Sequence, residues 1–441
     1  MTFFLLFMVI AAIILITAIW KIHPVLILLL GAFIFGVGNN NGVIETLNII
    51  SSGFGSTIKN IGIIIIAGTI IGVFMEQRGA LRIIAQKIIA LIGKKRTPAA
   101  MAIIGYIVSI CIFCDSAFII LINLWKKIGL LAKIPLAIGA TALSMGLFSA
   151  HCFIPPTPGP LAAISLLEAD FAYVLFFGSI AAIAATAAGY FYACFAGENE
   201  VLSLKEVVVP DEKEVLFSRH WSIAFLPIVI PLFLIGCASI ANIKSFELPE
   251  NLLRAVNILG NPIIALSIGA VIAIFFIGKA TRHELTVDGL IGKAIVDAAN
   301  ILIITASGGA FGEVLKNVDF SSLLPKNLDS LGIFALMIPL FFAAVLKIAQ
   351  GSSTLAILTA ASVTAPLLEV LGLTSPTMKA LACCAVCCGG MIVSHTNDSY
   401  FWVVTKFSGM SVRQGLKLQS LGSLVSALAA AAVILILAII F

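Results

Sequence analysis

Five side chains that can carry charge interrupt long apolar stretches of this sequence, namely Asp115, His151, Lys347, His395 and Asp398. Such a group costs free energy at membrane depth, so it marks a binding site or an ion pathway by default. Carboxylate and imidazole groups take up and release protons, and an ammonium group is a counter-ion for a carboxylate. These residue types therefore predict proton exchange and the binding of a small anion.

Each of these side chains also has a purely structural interpretation. Asp115 and Asp398 could cap the helices that follow them by accepting hydrogen bonds from backbone N–H groups. His151 and His395 could be core residues with satisfied ring nitrogens, and Lys347 could extend its ammonium to the outer membrane interface. The residue types alone leave both interpretations open.

The composition identifies the class of protein. Of the 441 residues, 61% are apolar and 11% are charged, with a formal net charge of +5. Soluble domains carry about 25% charged residues. The composition thus excludes a water-soluble enzyme, a nucleic-acid-binding protein and a disordered chain. Because a span uses about 20 apolar residues, it predicts an all-α polytopic protein with about twelve spans' worth of apolar sequence in the lipid bilayer.

Two apolar stretches are too long and too interrupted to be plain spans. The stretch at about 97–127 would measure roughly 46 Å as one helix, against a hydrocarbon core of about 30 Å. Its middle carries Cys114-Asp115-Ser116, and the stretch at about 331–368 carries Gln350-Gly351-Ser352-Ser353-Thr354 at its centre. Both patterns predict re-entrant hairpins with polar tips.

Two further helices, at about 134–167 and 376–407, contain breaks of their own. The first contains four prolines between Pro155 and Pro160, which cannot continue a helix. The second contains the polar run 394–399, in which Asn397 and Asp398 could bind hydroxyls or cap the helix beginning at Ser399. Irregular backbone at membrane depth is tolerated only where protein buries it or where it lines a wet cavity. The tips and breaks therefore predict one polar site near mid-depth.

Basic residues predict the sidedness of the chain. With two hairpins and both termini outside, 19 of the 26 Lys and Arg residues lie on the cytoplasmic side. If the first long stretch crosses instead, the division becomes 13 against 13 of the 26. The charges favour the hairpins. The Lys and Arg residues at 78–96 are expected to be solvated and to act as determinants of topology.

Matching landmarks predict two inverted-topology repeats, each with a re-entrant hairpin and a broken helix. Gly308 follows Gly68 by 240 residues, Gly351 follows Asp115 by 236, and His395 follows His151 by 244. The predicted organisation is a first repeat at 1–195, a polar cytoplasmic linker at 196–220 and a second repeat at 221–441.

The site predicted from these breaks consists of polar and backbone groups that suit a carboxylate and hydroxyls. The substrate-binding candidates are Asp115, Ser116, His151, Pro156, Thr157, Lys347, Gln350, Gly351, Ser352, Ser353, Ser394, His395, Asn397 and Asp398. The proton-coupling candidates are Asp115, His151, His395 and Asp398.

Nine cysteines lie in apolar segments, where a thiol acts as a small hydrophobic group. The run Cys383-Cys384-Ala385-Val386-Cys387-Cys388 resembles paired metal ligands, but nothing nearby completes a site. We expect no metal and no cofactor. No nucleophile motif or zincin helix is present either, so the prediction is a protein that is not an enzyme.

At these residues the sequence resembles the gluconate permease (GntP-type) transporters over nearly its whole length. The matching runs are Gly53-Phe54-Gly55-Ser56-Thr57, Gly308-Gly309-Ala310-Phe311, Ile348-Ala349-Gln350-Gly351-Ser352, HCFIPPTPGP at 151–160 and SHTNDSYFW at 394–402. The resemblance implies a secondary transporter of the ion-transporter superfamily that takes up sugar acids or small hydroxy and amino acids, usually by proton symport. It further implies a homodimer with an elevator-type movement of the domain that carries both hairpins.

Two departures from the family's pattern limit what the resemblance implies about the substrate. Gluconate-type members often have a histidine where this chain has Thr157, and a more apolar neighbourhood around Asp115. The expectation is therefore a bacterial inner-membrane importer of gluconate or a similar hydroxylated carboxylate. A D-serine or other small hydroxy or amino acid permease of the same family is an alternative, and an intramembrane hydrolase or a passive channel are rivals from other classes.

Overall fold

In the computed structural model of this chain, residues 2–20, 22–39, 42–93, 96–110, 112–202, 221–241, 249–278, 280–317 and 328–441 are described. Helices make up the regular structure of these ranges, which contain no strand. Seven of the helices are long and apolar enough to cross a membrane, or eight if one bent pair is a single span. The predicted all-α polytopic class is confirmed.

The helices of the amino-terminal half are α1 (Thr2–Ile19), α2 (Pro24–Gly38), α3 (Val43–Gln77), α4 (Ala80–Ile92), α5 (Thr97–Val108), α6 (Cys114–Ala132), α7 (Leu136–Phe153), α8 (Pro158–Leu167) and α9 (Phe171–Gly197). Those of the carboxy-terminal half are α10 (Leu226–Ala241), α11 (Glu250–Leu259), α12 (Pro262–Phe275), α13 (Leu290–Lys316), α14 (Met337–Gln350), α15 (Ser353–Thr364), α16 (Pro376–Met391), α17 (Ser399–Ser408), α18 (Val412–Gly415) and α19 (Leu421–Ile440).

The first predicted hairpin forms from α5 and α6, which run in opposite directions along α7. Gly105 of α5 lies against the backbone of Leu143, in the middle of α7. The ring of Phe113, between the two legs, lies 6.2 Å from that of His151 near the end of α7. Trp125 then donates its indole N–H over 2.8 Å to the carbonyl of the first residue of α7. The first leg, α5, therefore runs toward the end of α7, and the second leg, α6, runs back toward its start.

The second hairpin forms from α14 and α15, with its turn at Gly351. Gly351 has a φ of +80°, a conformation in which a residue with Cβ is strained. The amide of Gly351 donates over 2.9 Å to the carbonyl of Lys347, which closes the last turn of α14. Both legs pack on α16, as α5 and α6 pack on α7.

Both predicted broken helices are present. The first is interrupted between α7 and α8, where the Pro155-Pro156 peptide bond is cis. The second is interrupted between α16 and α17. Proline at the start of α8 has no backbone N–H to satisfy, which favours that position.

The two halves of the chain contact each other near these breaks. The second leg of each hairpin packs against the second part of the other half's broken helix, so that α6 contacts α17 and α15 contacts α8. Phe118 of α6 meets Tyr400 of α17 edge to face, at a ring separation of 6.3 Å. On the other side, Gly159 of α8 packs against Ile357 of α15. Each tip is thereby placed beside the opposite half's break.

Some elements differ from the sequence expectation. Helix α3 begins at Val43, although its apolar run begins near residue 61, because its first turns contain serines and glycines that hydropathy does not register. The segment 80–92 forms α4, an amphipathic helix.

The basic residues at 78–96 were expected to be solvated, and this expectation is wrong for Arg78. Its guanidinium is buried, donates to the carbonyls of Ala273 and Ile274, and pairs with Glu284 at 3.0 Å.

The predicted division into repeats and the sidedness of the termini stay predictions. Residues 203–220, which form most of the expected linker, lie outside the described residues. The same holds for several of the basic residues behind the topology, namely Lys21, Lys94, Lys95, Lys205, Lys213, Arg219, Lys244, Lys279 and Lys326.

Candidate functional site

Lys347 lies one turn before the tip of the second hairpin and is completely buried. Its Nζ lies 2.6 Å from Oδ2 of Asp398 and donates to the carbonyl of Gly351 at 2.5 Å. The same ammonium lies over the ring of Phe148, 5.5 Å from its centroid. The alternative in which Lys347 extends to the membrane interface is therefore wrong, because its charge is neutralised inside the protein.

Asp398, in the break of the second broken helix, is also buried. Its Oδ2 accepts from the hydroxyl of Ser394 at 2.5 Å in addition to Lys347. Its Oδ1 accepts from the amide of Tyr400 at 3.0 Å, so Asp398 is the N-cap of α17. The capping role that the sequence offered for Asp398 is thus made by one carboxylate oxygen, and the other oxygen makes an ionic contact that the sequence did not predict.

His395 and Asn397 bind the carbonyl end of α14. Nε2 of His395 lies 3.1 Å from the carbonyl oxygen of Ile348. Nδ2 of Asn397 donates to the carbonyls of Ile348 at 2.8 Å and of Ala349 at 3.3 Å. The last carbonyls of a helix have no partner within it, and these side chains supply one. The break of α16–α17 therefore fixes the tip of the second hairpin directly.

Ser394 connects this cluster to α19. Its amide donates to Oγ of Ser423 at 2.9 Å, and its carbonyl accepts from the hydroxyl of Ser420 at 2.5 Å. Both backbone groups of this buried residue are thus satisfied by side chains rather than by a helix. The hydroxyl of Ser394 is held facing Asp398 as a result.

The second tip presents three further predicted residues. Gln350 ends α14, and neither Oε1 nor Nε2 of its buried amide has a hydrogen-bond partner among the described residues. Ser352 is exposed and caps α15 by accepting from the amide of Leu355 at 3.3 Å. Ser353, the first residue of α15, is buried. Gln350 therefore offers both an acceptor and a donor that the fold leaves unused.

Asp115 and Ser116 lie in the first turn of α6, where the helix dipole favours a carboxylate. Asp115 is half-buried, and the thiol of Cys114 lies 3.8 Å from its Oδ2. Within the described ranges no basic side chain forms an ion pair with Asp115, whereas the charges of Lys347 and Asp398 act on it electrostatically. The first tip thus contributes an unpaired carboxylate beside a paired one.

The first break contributes His151, Pro156 and Thr157, all buried. Nδ1 of His151 has no hydrogen-bond partner among the described residues. Thr157 donates its hydroxyl to the carbonyl of Ile154 at 2.6 Å. A narrow cleft between this break, the first tip and helices α3 and α13 is lined by Ile65, Gly68, Thr69, Ile110, Ile112, Phe113, Pro156, Thr157, Pro158 and Ile301. This wall is mainly apolar, in contrast to the second tip.

Four residues around the ion pair were not predicted from the sequence, namely Ser144, Phe148, Tyr400 and Gln419. Tyr400 is buried and donates its hydroxyl to the carbonyl of Ser144 at 3.3 Å, and the Ser144 hydroxyl donates to Oε1 of Gln419 at 2.7 Å. The rings of Phe148 and Tyr400 lie 5.3 Å apart, and the ring of Phe148 lies beneath the ammonium of Lys347. Phe148 lies one turn before His151 on α7, and this spacing was the available signal.

The cysteine run lies on α16 and is buried, with the thiol of Cys388 donating to the carbonyl of Ala427 at 3.0 Å. In the part of the chain that is described, no group of three or more His, Cys, Asp or Glu side chains could hold a metal ion. The site is thus a set of protein donors and acceptors around one buried ion pair. Such a set can bind an anion at the ammonium and exchange a proton at a carboxylate.

Comparison with known proteins places this geometry in context. The family model described as "GntP family permease" matches residues 1–440. The Gnt-II system L-idonate transporter of Escherichia coli K12 is 31% identical over 414 residues, which are 90% of this chain and 90% of that protein. A gluconate permease of Pseudomonas aeruginosa is 28% identical, with 93% and 91% covered. The D-serine transporter DsdX of E. coli K12 is 28% identical, with 94% and 93% covered.

Two solved structures share the fold. Neisseria gonorrhoeae MtrF, described as one of a class of antimetabolite efflux pumps, superposes with a TM-score of 0.61 at 14% identity, covering 90% of this chain and 84% of that chain. The YdaH transporter of Alcanivorax borkumensis gives a TM-score of 0.61 at 14% identity, covering 90% and 88%. At this identity the likeness concerns the fold.

Proposed function

Since this chain belongs to the GntP family of permeases, which are membrane transporters and not enzymes, we propose that it imports gluconate or a similar small sugar acid or hydroxy carboxylate. The import is secondary active transport across the bacterial cytoplasmic membrane, coupled to protons. The carrier is a homodimer with elevator-type alternating access. Its amino and carboxyl termini lie outside.

The observation that carries this proposal is the buried ammonium of Lys347 at a hairpin tip, held by the carboxylate of Asp398 at a helix break. A buried cation is expensive unless an anion accompanies it, so Lys347 must keep a carboxylate beside it, and Asp398 supplies that carboxylate in this structure. Groups that can bind hydroxyls lie at the same break and tip, namely Ser394, Ser352 and the unpaired amide of Gln350. A carboxylate with hydroxyl groups next to it matches this set.

The names of the relatives fit the same chemistry. Gluconate and L-idonate are polyhydroxylated monocarboxylates, and D-serine combines a carboxylate with one hydroxyl and an ammonium. All three ligands share the carboxylate that Lys347 would bind. They differ in the number of hydroxyls and in the presence of a second charge.

Transport assays in proteoliposomes test the proposal. We expect labelled gluconate to accumulate when the lumen is made alkaline relative to the outside, and excess unlabelled L-idonate to compete. Uptake that follows a sodium gradient and ignores the pH gradient would contradict proton coupling. Saturable counterflow distinguishes a carrier from a passive channel, and the mass of the purified protein in detergent tests the homodimer.

A D-serine or other small amino acid permease is the second candidate, and one observation favours it. The half-buried carboxylate of Asp115 has no basic partner within the described part of the chain, so it is available to an ammonium group. Replacing Asp115 with Asn separates the two candidates. The change would abolish D-serine transport if Asp115 binds the ammonium, and it would alter the apparent affinity for gluconate much less, because gluconate has no ammonium contact to lose.

A further inference from the structure

The ion pair of Lys347 and Asp398 is complete without any ligand. Two of the three ammonium donors of Lys347 go to Oδ2 of Asp398 and to the carbonyl of Gly351, and the ring of Phe148 lies beside the cation. Asp398 in turn accepts from Lys347, Ser394 and Tyr400. The pair has no net charge, and it is closed to solvent on the side of Lys347.

A second carboxylate cannot join this pair at low cost. Two carboxylates and one ammonium would place a net negative charge in a buried site, where an uncompensated charge is strongly disfavoured. If Asp398 takes up one proton, the site again holds one ammonium and one carboxylate. The arrangement then has the same net charge with the ligand as without it.

We propose that Asp398 and the substrate carboxylate compete for the ammonium of Lys347, and that one proton taken up by Asp398 releases Lys347 to the substrate. This inference rests on the proposed function and assigns the coupling site within it. The proton reaches Asp398 from the outer solution together with the substrate. It leaves to the cytoplasm when the substrate departs and Lys347 recaptures the carboxylate. Each cycle moves one proton and one monoanion, and no net charge crosses the membrane.

Other titratable groups surround Asp398 on every packed element. They are Cys114 and Asp115 on α6, His151 and Cys152 on α7, Lys347 on α14, His395 in the break and Tyr400 on α17. Asp115, His151 and His395 are the competing proton carriers. Within the described residues none of them makes a hydrogen bond or ion pair with the ammonium of Lys347, whereas Asp398 does. Only at Asp398 does gaining a proton remove the counter-ion of the ammonium itself.

The test variant is Asp398→Asn, which imitates the protonated carboxyl and can still accept from Tyr400 as an N-cap. Binding of the probe that the wild type transports best, among gluconate, L-idonate and D-serine, is measured calorimetrically from about pH 5.5 to about pH 8.5. For gluconate or L-idonate in the wild type, we expect Kd to weaken about tenfold per pH unit at the alkaline end, because one proton is bound per substrate. In Asp398→Asn we expect a Kd independent of pH.

Transport provides the second readout. Asp398→Asn should exchange labelled for unlabelled substrate across the membrane, and it should fail to accumulate substrate in response to a pH gradient. Asp398→Ser, which is also a neutral N-cap, replaces it if the amide variant does not fold. Glu200→Gln is the matched control, because it removes a carboxylate from a partly exposed pair with Lys417 that has no contact with Asp398, and it should behave as wild type.

The outcomes separate cleanly. If the Kd of Asp398→Asn depends on pH as that of the wild type does, or if this variant still accumulates substrate in response to a pH gradient, Asp398 is not the coupling site. Either result leaves the proposed function intact. Loss of binding at every pH in a folded neutral variant also overturns it, since Asp398 would then contact the substrate. A wild type that transports none of the three probes contradicts the proposed function itself.

Discussion

Lys347 and Asp398 lie 51 residues apart in the sequence and 2.6 Å apart in the fold. Their contact joins the tip of one hairpin to the break of the following helix. Because His395 and Asn397 bind the carbonyl end of the same hairpin leg, the tip and the break form one structural unit. A movement of the second hairpin must therefore carry the break of α16–α17 with it.

Removing one member of this pair should destabilise the protein more than removing both. Lys347→Met leaves a buried carboxylate without its cation, at a cost of about 3–5 kcal/mol. Lys347→Met combined with Asp398→Asn removes both charges, and we expect it to recover most of that loss. The measurement is the thermal midpoint of each variant in detergent, followed by size-exclusion chromatography. Additive losses in the double variant would show that the two residues do not act as a pair.

Gly351→Ala should abolish uptake and lower the thermal midpoint. The residue has a φ of +80°, and an added Cβ would collide with the backbone carbonyl of Asn397. The strain of that φ costs about 1–3 kcal/mol, and the collision displaces the tip in addition. Gly372→Ala is the matched control, because Gly372 has a φ of +68° and nothing within 4 Å of an added Cβ. Equal losses in the two variants would contradict a role for the contact with Asn397.

Gly146→Ala should separate the first hairpin from α7. An added Cβ on Gly146 would collide with the backbone carbonyl of Ala102 on α5, so the helices could not keep their close approach. We expect a loss of about 1–3 kcal/mol and reduced uptake, because the tip that carries Asp115 would shift. Gly236→Ala, a helical position with nothing within 4 Å of an added Cβ, should be neutral or slightly stabilising. Wild-type stability and uptake of Gly146→Ala would contradict the packing argument.

Glu168→Gln should have a small effect that depends on pH. A hydrogen bond of 2.7 Å from the Lys316 ammonium holds the pKa of the Glu168 carboxyl below its usual range. Because the pKa is depressed in the folded state, the pair stabilises the protein above about pH 4.3 and the effect is lost as the pH falls further. The pair is largely exposed, so we expect at most about 1 kcal/mol.

Thermal midpoints of Glu168→Gln and wild type at neutral pH and at about pH 3.5 measure this effect. The two proteins should differ slightly at neutral pH and converge in acid. A difference that grows in acid would show that the carboxyl of Glu168 is not stabilised in its charged form.

The breaks could be predicted from the sequence because they consist of residues that cannot continue an apolar helix. Prolines at 155–160, Gly351 and the polar run at 394–399 all coincide with ends of helices in the fold. The first turns of α3 could not be predicted, because a helix rich in serine and glycine has no hydropathy signal until it packs against a partner. The burial of Arg78 could not be predicted either, because it depends on carbonyls near the end of α12, which are distant in the sequence.

The sequence by itself determined the class of protein, the two hairpins, the two broken helices and the residues at their ends. These features depend on local composition and on helix-breaking chemistry, which can be read along the chain. Only the tertiary structure decided what the charged residues do. Lys347 could have reached the interface and Asp398 could have been a cap alone, and the choice depended on a partner 51 residues away. Ion pairs depend on distances in space, and the sequence fixes those distances only through the packing of the whole fold.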